Sequence, residues 1–332
     1  MIFCRKKAHS SAKRVSSPQR RRRASAPCPR LIPALEGASP SACTWFMTQP
    51  LSAPPAGFSP TICLTIAGSD PSGGAGLQAD LKTFAAHGVY GASVISLVTA
   101  QNTQGVQGVE TLSSALIEAQ LRSVFSDLQV HAVKIGALLD AEVMRTVARG
   151  LREWSRAPLV LDPVMVSKHG HALIDDAAAQ VLIDTLVPLA SVLTPNRHEA
   201  KILGDWTGSL DDEEAGVLAE RIYARFQKPV VVTGGSSESD EIVDWYVSAE
   251  GRTRLAHPRV EGAHRHGAGC SLAAAIAAHL GRDFQARGAL PEDAVIAQAV
   301  RDARAWVRRA MEVAPTVGHG EGPIWHNVST TR

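Results

Sequence analysis

From Thr61 onward, short apolar runs alternate with longer amphipathic stretches, and this alternation predicts the architecture. ICLTIAG (Ile62 to Gly68) is a continuous apolar run closed by glycine, the pattern of a strand buried on both faces. LQADLKTFAAHG (Leu77 to Gly88) follows with apolar positions at helical spacing and a glycine stop. Val94 to Gly105 reads as a second strand running into a polar loop. Leu112 to Leu128 reads as an amphipathic helix with a Ser cap, Val130 to Leu138 as strand and turn, and Ala141 to Trp154 as helix. Pro158 to Met165 predicts a strand ending in Asp162, about Asp175 to Leu186 a helix, and Ser191 to Thr194 a short strand. Asn196 to Asp205 and Asp212 to Phe226 look helical, and Pro229 to Gly235 is a buried strand ending in glycines. Glu241 to Ser248 and Arg252 to Arg259 alternate like a hairpin around Glu250-Gly251. An alanine-rich helix after Gly269 and another over Asp293 to Met311 close the pattern, with no internal repeat.

Strands separated by helices predict a parallel sheet with helices on both faces. Ligands of such sheets bind beyond the carboxyl ends of the strands. Asp70, Gln101, Lys134, Asp162, Asn196, Thr233 and the glycine turn before Cys270 all fall just after predicted strands. One edge of the sheet therefore collects the chemistry of the chain.

The 332 residues, 45% of them hydrophobic, suffice for one large α/β domain or two ordinary ones. No apolar run approaches the roughly 20 residues that span a bilayer, so no membrane partner is expected. The net charge of +2 hides an uneven distribution. Residues 1–46 hold ten Lys/Arg and one acid, leaving 24 basic and 31 acidic residues, a net charge of −7, for the remainder. Such a body is a poor nucleic-acid binder. The leader, with RRRR at Arg20 to Arg23 and many Ser and Pro, is expected to be disordered. It could be an organellar transit peptide, a nucleic-acid-binding tail, or no part of the protein, and Met47 as a second start favours the last. Residues 1–60 are thus expected to be leader and linker, and 61–320 a single domain. The five cysteines show no CxxC or metal-ligand spacing, which points to a reducing, cytoplasmic setting.

HRHGAGCSLAAAIAAHL (His264 to Leu280) carries the strongest chemical signal. Glycines ahead of a helix leave backbone N–H groups free around a bend, and with the helix's positive end they form an anion site suited to phosphate. Cys270 in the first turn is expected to be stabilised as a thiolate by the same field. The bland alternative, a tightly packed helix start with a small buried Cys, is about as plausible on this segment alone. SDPSGGAG (Ser69 to Gly76) lacks a P-loop's ending, and its glycines favour close substrate approach over simple turning. Asp80, in an otherwise apolar helical face, is either a helix-surface acid or an acceptor for a ligand amine. Gln101 and Asn102 suit the donor and acceptor edge of a heterocycle, or a turn. Asp162 ends an apolar strand, where a carboxylate is expensive unless paired or metal-bound. Together with Glu199, individually a weak signal, it could hold Mg2+ through waters. His198, His264 and His266 are expected at the surface or supporting other residues. No hydrolase elbow, HExxH or EF-hand loop is present.

Thr65 to Val106 (TIAGSDPSGGAGLQADLKTFAAHGVYGASVISLVTAQNTQGV) resembles the signature of hydroxymethylpyrimidine/phosphomethylpyrimidine kinases of thiamin biosynthesis. The likeness continues in order through KIGAL, LDPVM, TPNRHEA, TGG and HGAGCSLAAAIAA, covering about Thr61 to Gly281. It implies a ribokinase-like three-layer sandwich, an ATP- and Mg2+-dependent kinase, a small-molecule substrate and a homodimer. By the same resemblance, Asp80, Gln101 and the Gly68 backbone hold the aminopyrimidine. Gly267, Ala268 and Gly269 form the anion hole, and Cys270 takes the place of the base. Asn196 and Glu199 match an N-x-x-E element near Mg2+, Asp162 a strand-end carboxylate, and Thr233 and Gly235 the nucleotide side. Three positions depart from the family's pattern: Thr233 where Lys is frequent, Ala268 for Thr, and Ala137 for Met in the substrate pocket. The last leaves room for a bulkier ring such as pyridoxal. The rival readings are a pyridoxine/pyridoxal kinase, a pyrimidine-binding protein without transferase activity, and a nucleic-acid-associated protein using the leader.

Overall fold

The computed structural model describes residues 57, 59–166, 172–234, 240–262 and 264–330. The expected leader lies outside them, as does Gly235. Among the described residues nine strands form one sheet: β1 (Ile62–Ser69), β2 (Tyr90–Asn102), β3 (Gly105–Thr111), β4 (Ala132–Ile135), β5 (Leu159–Leu161), β6 (Val192–Leu193), β7 (Val230–Val232), β8 (Glu241–Ser248) and β9 (Gly251–Pro258). Their order is β3-β2-β1-β4-β5-β6-β7-β8-β9. The six from β2 to β7 in that order run parallel, with antiparallel strands added at both edges.

Eight α-helices among the described residues connect and cover them: α1 (Gly76–Ala86), α2 (Ser114–Asp127), α3 (Ala141–Trp154), α4 (Asp176–Thr185), α5 (Arg197–Leu203), α6 (Asp212–Phe226), α7 (Ala268–Arg287) and α8 (Asp293–Glu312). The period-two alternation of each strand divides its side chains between two cores. Leu64, Ile66, Val133, Ile135, Leu159, Leu161, Val230 and Val232 pack with α2, α3, α4, α5 and α6. Cys63, Ala132, Val160, Val192, Val231 and Tyr246 pack with α1, α7 and α8. The result is helices, sheet, helices: three layers, as the strand–helix alternation predicts.

α7 is the central helix of its layer. Every residue from Ser271 to Ala278 is buried, and five of these eight are alanine, which lets the helix lie close against β1, β4 and β5. At Gly281 even a methyl would come within 3.0 Å of Cys63 Sγ and 3.2 Å of Ala132 Cβ.

The expected element boundaries hold within a few residues, including the Ser113 cap of α2, which accepts from Leu116 N–H. β3 is the main correction. The segment after Gln101 turns back as an antiparallel strand, Leu97 opposite Thr111 and Asn102 opposite Gly105. Its GVQGVET sequence stays almost wholly exposed, so no buried apolar run announces it. Among the described residues the tail after α8 has no helix or strand, yet His266 and Pro323 form a parallel bridge and Trp325 N–H donates to Ala310.

Candidate active site

The carboxyl ends of β1, β2, β4, β5, β6 and β7 deliver Asp70, Gln101, Lys134, Asp162, Asn196 and Thr233 to the edge where α7 begins. The buried centre of this region is a lysine. Thr65 on β1 and Lys134 on β4 are register partners. Alternation places them with Cys63 and Ala132, on the α7 side of the sheet. Lys134 Nζ lies 2.9 Å from Asp80 Oδ2 and 3.9 Å from Asp162 Oδ2, with the side chains of Lys134 and Asp80 both 0% exposed. Thr65 Oγ1 donates to the same Asp80 oxygen at 2.6 Å. Burial alone would weaken the ammonium's hold on its proton, but Asp80, Cys270 and Asp162 around it raise it above the ordinary lysine value. Asp80 is therefore not the helix-surface acid that the sequence allowed. It is one half of an enclosed ion pair, although its Oδ1 is left without a hydrogen-bond partner.

Asp162 and Glu199 add further buried carboxylates. Burial pushes Asp162 up to about 6 against the pull of Lys134, with Asp80 adding to the rise. Burial and then the Asp162 charge push Glu199 up to about 8. Glu199 is 2% exposed rather than on a helix surface. It closes a capping box at the start of α5, where Asn196 Oδ1 accepts from Glu199 N–H at 3.0 Å and Glu199 Oε2 accepts from Asn196 N–H at 3.0 Å. Its Oε1 accepts from Met165 N–H at 3.4 Å. One ammonium thus faces two carboxylates, Asp80 and Asp162, and Glu199 feels the charge of Asp162; a cation beside Asp162 and Glu199 would favour their ionised forms. The donor set is hard oxygen and fits Mg2+ held partly through waters. Among the described residues no group of three or more His, Cys, Asp or Glu could hold a metal directly.

Cys270 sits in the first turn of α7, partly exposed. Its thiol donates to Asp162 and its sulfur accepts from Gly76 N–H. The expected thiolate is corrected here: burial first, then the carboxylates of Asp162 and Asp80, push the thiol up to about 12, and Lys134 only partly opposes them. Iodoacetamide at neutral pH should therefore label Cys270 no faster than an ordinary free thiol, read peptide by peptide in a mass spectrometer. Rapid labelling would restore the thiolate.

The glycine turn is built against the glycine loop. Gly267 has φ +82, and a Cβ on it would stand 1.7 Å from the Gly74 carbonyl oxygen. Gly76 has φ +56, and a Cβ there would stand 2.4 Å from the Gly68 carbonyl oxygen. Gly76 and Gly267 thus serve backbone-to-backbone packing, whereas a Cβ on Gly68 would meet the Leu97 side chain and one on Gly74 the His266 ring. Gly269 is open, with nothing within 4 Å of an added Cβ. Ala268 N–H donates to the Arg265 carbonyl and Ser271 N–H to that of Gly267, so the remaining N–H groups at this end of α7 are the ones that can receive an anion.

Gln101, partly exposed at the end of β2, lies beside His266, whose Nε2 donates to Asp70 Oδ2 at 2.9 Å. Asp70 is 3% exposed. Burial would raise it, but hydrogen bonds from His266, Ser72 and Ala75 bring it down to about 2. The carbonyl of Ala137 accepts from Ser96 Oγ at 2.7 Å, closing the turn after β4. Thr233 bridges Asn196 at the end of β7, and its N–H donates to the Pro195 carbonyl at 2.9 Å. The pairings Lys134–Asp80 and Asp70–His266 were missed from the sequence, where of these four residues only Asp80 was assigned a direct role. The lone Lys inside the AVKI strand was the available signal for the first.

The strand-end site, with its glycine-bent helix start and buried carboxylates suited to a cation, fits one class: a ribokinase-like α/β kinase of small molecules. Residues 70–325 match the family model described as phosphomethylpyrimidine kinase. The hydroxymethylpyrimidine/phosphomethylpyrimidine kinase of Rhizobium meliloti (strain 1021) is 43% identical over 267 residues, 80% of this chain and 96% of that protein. The chain belongs to the phosphomethylpyrimidine kinase family. Its fold matches the ADP complex of Bacillus subtilis pyridoxal kinase with TM-score 0.72 at 32% identity, over 81% of this chain and 98% of that one. The phosphomethylpyrimidine kinase of Clostridium difficile 630 matches with TM-score 0.63 at 36% identity, over 75% of this chain and 99% of that one.

Proposed function

We propose that this chain phosphorylates the hydroxymethyl oxygen of 4-amino-5-hydroxymethyl-2-methylpyrimidine, and then the resulting monophosphate, for thiamin biosynthesis. The meeting of the α7 start with Cys270, Asp162 and the Lys134–Asp80 pair, in a chain of this family, carries the reading. ATP bound with Mg2+ would supply the phosphoryl group and offset its charge. The ADP in the Bacillus subtilis neighbour is in keeping with that donor. On this side of the reaction the chain positions and neutralises, which is most of what phosphoryl transfer asks.

Gly68, Asp80 through its unpartnered Oδ1, and Gln101 hold the ring, and Ala137 gives it room. The backbone of Gly267, Ala268 and Gly269 receives the transferring group. Asn196, Thr233 and Gly235 serve the nucleotide, and Asp162 and Glu199 hold the cation through its waters. A thiol protonated at rest can act as base only by passing its proton on. Cys270 Sγ therefore takes the hydroxymethyl proton as its own S–H proton moves to the Asp162 carboxylate, leaving the thiol unchanged. The free Cys63 and Cys270 are in keeping with a reducing, cytoplasmic setting. A homodimer belongs to the same reading: Val106 and Val109, exposed on the edge strand β3, with Val98 exposed on the neighbouring β2, offer apolar surface for a second copy.

The second reading, a pyridoxal kinase, draws on Ala137 and on the Bacillus subtilis neighbour. Purified protein given ATP and Mg2+ should add first one and then two phosphoryl groups to hydroxymethylpyrimidine, followed by mass spectrometry. Pyridoxal in a parallel reaction should be the poorer substrate. Turnover of pyridoxal alone would exchange the two readings, and turnover of neither would leave a binding protein.

A further inference from the structure

His266 occupies a position that neither the fold nor the chemistry of phosphoryl transfer requires. Its Nε2 is 2.9 Å from Asp70 Oδ2 and 3.4 Å from the terminal nitrogen assigned to Gln101. Gln101's other terminal atom lies 3.2 Å from Thr99 Oγ1, which itself donates to the Ser69 carbonyl at 2.9 Å. A donor–acceptor account settles how these groups must be polarised. Asp70, held ionised by its hydrogen bonds, can only accept, so His266 Nε2 carries a proton and donates. A protonated Nε2 cannot accept from a second nitrogen. Thr99's single hydroxyl proton goes to Ser69, leaving Thr99 an acceptor toward Gln101. Both neighbours are satisfied only when the Gln101 amide is turned over, its nitrogen donating to Thr99 and its oxygen facing His266. Amide oxygen and nitrogen are alike in size, so the hydrogen-bond network decides between the two senses.

The ring of His266 is fixed from outside the sheet. His266 N–H donates to the Gly322 carbonyl at 3.1 Å, and its carbonyl accepts from Ile324 N–H at 3.3 Å. A Cβ on Gly74 would stand 2.3 Å from His266 Cδ2, so the glycine loop leaves just enough room for the imidazole. The chain's C-terminal segment, the β1–α1 loop and the lead-in to α7 converge on one side chain.

We propose that His266 is a positioning residue for substrate recognition: relayed from Asp70, it holds the Gln101 amide in a single sense, so that the substrate ring meets a fixed donor and acceptor. This assignment rests on the reading of Gln101 as a ring contact. A floating amide would satisfy either edge of a heterocycle; a fixed one selects.

Two variants and two measurements test it. In uniformly 15N-labelled protein without ligand, the Gln101 side-chain NH2 pair, assigned by its absence from Gln101→Ala, should be shifted from free-amide positions. It should move to them in His266→Ala and stay near wild type in His266→Gln, whose amide can donate to both neighbours. In steady-state assays His266→Ala should raise KM for hydroxymethylpyrimidine about tenfold, the loss of roughly one hydrogen bond to a polar ligand, with kcat and KM for ATP little changed. His266→Gln should recover most of it. An unshifted Gln101 pair in wild type would overturn the relay, even if the kinase reading stands. So would equal changes in kcat and both KM values in His266→Ala, or no recovery in a folded His266→Gln. Should hydroxymethylpyrimidine prove no substrate while the amide shifts behave as expected, the relay holds and the assigned substrate falls. Should His266→Ala fail to fold, His266→Gln alone decides.

Discussion

Replacing Lys134 with methionine should lower the free energy of unfolding by about 3–5 kcal/mol, the usual consequence of removing one partner from a buried ion pair. The side chains of Lys134 and Asp80 are wholly enclosed and 2.9 Å apart, so neither has water to fall back on. Without the ammonium, Asp80 retains only Thr65 as a donor, and Asp162 loses the nearest charge that opposes its own. Methionine fills much of the lysine stem's volume, which keeps cavity formation out of the comparison. A urea titration followed by tryptophan fluorescence measures the shift in midpoint, and an unchanged m value would keep it a statement about stability. The double variant Lys134→Met with Asp80→Leu should regain a substantial part of the loss, because no charge is then left buried and unpaired. A single variant within about 1 kcal/mol of wild type would mean that the pair does not organise this part of the core.

The layers of the fold were legible because buried strands advertise themselves. ICLTIAG, PLVLDP and PVVVTGG are continuous apolar runs, and each is a central parallel strand with both faces covered. β3 was not legible for the converse reason: an edge strand with six of seven residues exposed needs no apolar face, and GVQGVET follows a turn signal. The positions of the candidate site were legible because the strand-end rule depends only on element order. Their electrical state was not. Cys270 at a helix start predicts a thiolate from local sequence, whereas burial in the folded chain, helped by Asp162 and Asp80 arriving from β5 and α1, pushes the thiol the other way. Asp80 likewise looks like an isolated acid until β4 delivers Lys134 beside it. His266 showed nothing in sequence beyond its nearness to Gly267, because Asp70 and Gln101 approach it from two other strand ends.

That reversal sharpens what the thiol should contribute. Cys270→Ala should reduce turnover of hydroxymethylpyrimidine by about 10²- to 10⁴-fold, the range that a positioned proton acceptor supplies. Affinity for a non-hydrolysable ATP analogue, measured by calorimetry, should stay close to wild type. The anion-receiving groups at the start of α7 belong to the backbone and survive the substitution, and Gly267 keeps the bend through its own φ of +82. The Asp162 carboxylate then has no S–H to accept from and no route to the hydroxymethyl proton, so the loss falls on the chemical step and not on nucleotide binding. Cys270→Ser provides the internal control. A hydroxyl can still pass a proton to Asp162, and it should retain more turnover than alanine even though it is a far weaker acid than a thiol. If alanine and serine are equally slow, proton transfer through position 270 is not what the side chain provides. If alanine turns over like wild type, the sulfur has no part in the reaction and Asp162 must receive the proton directly.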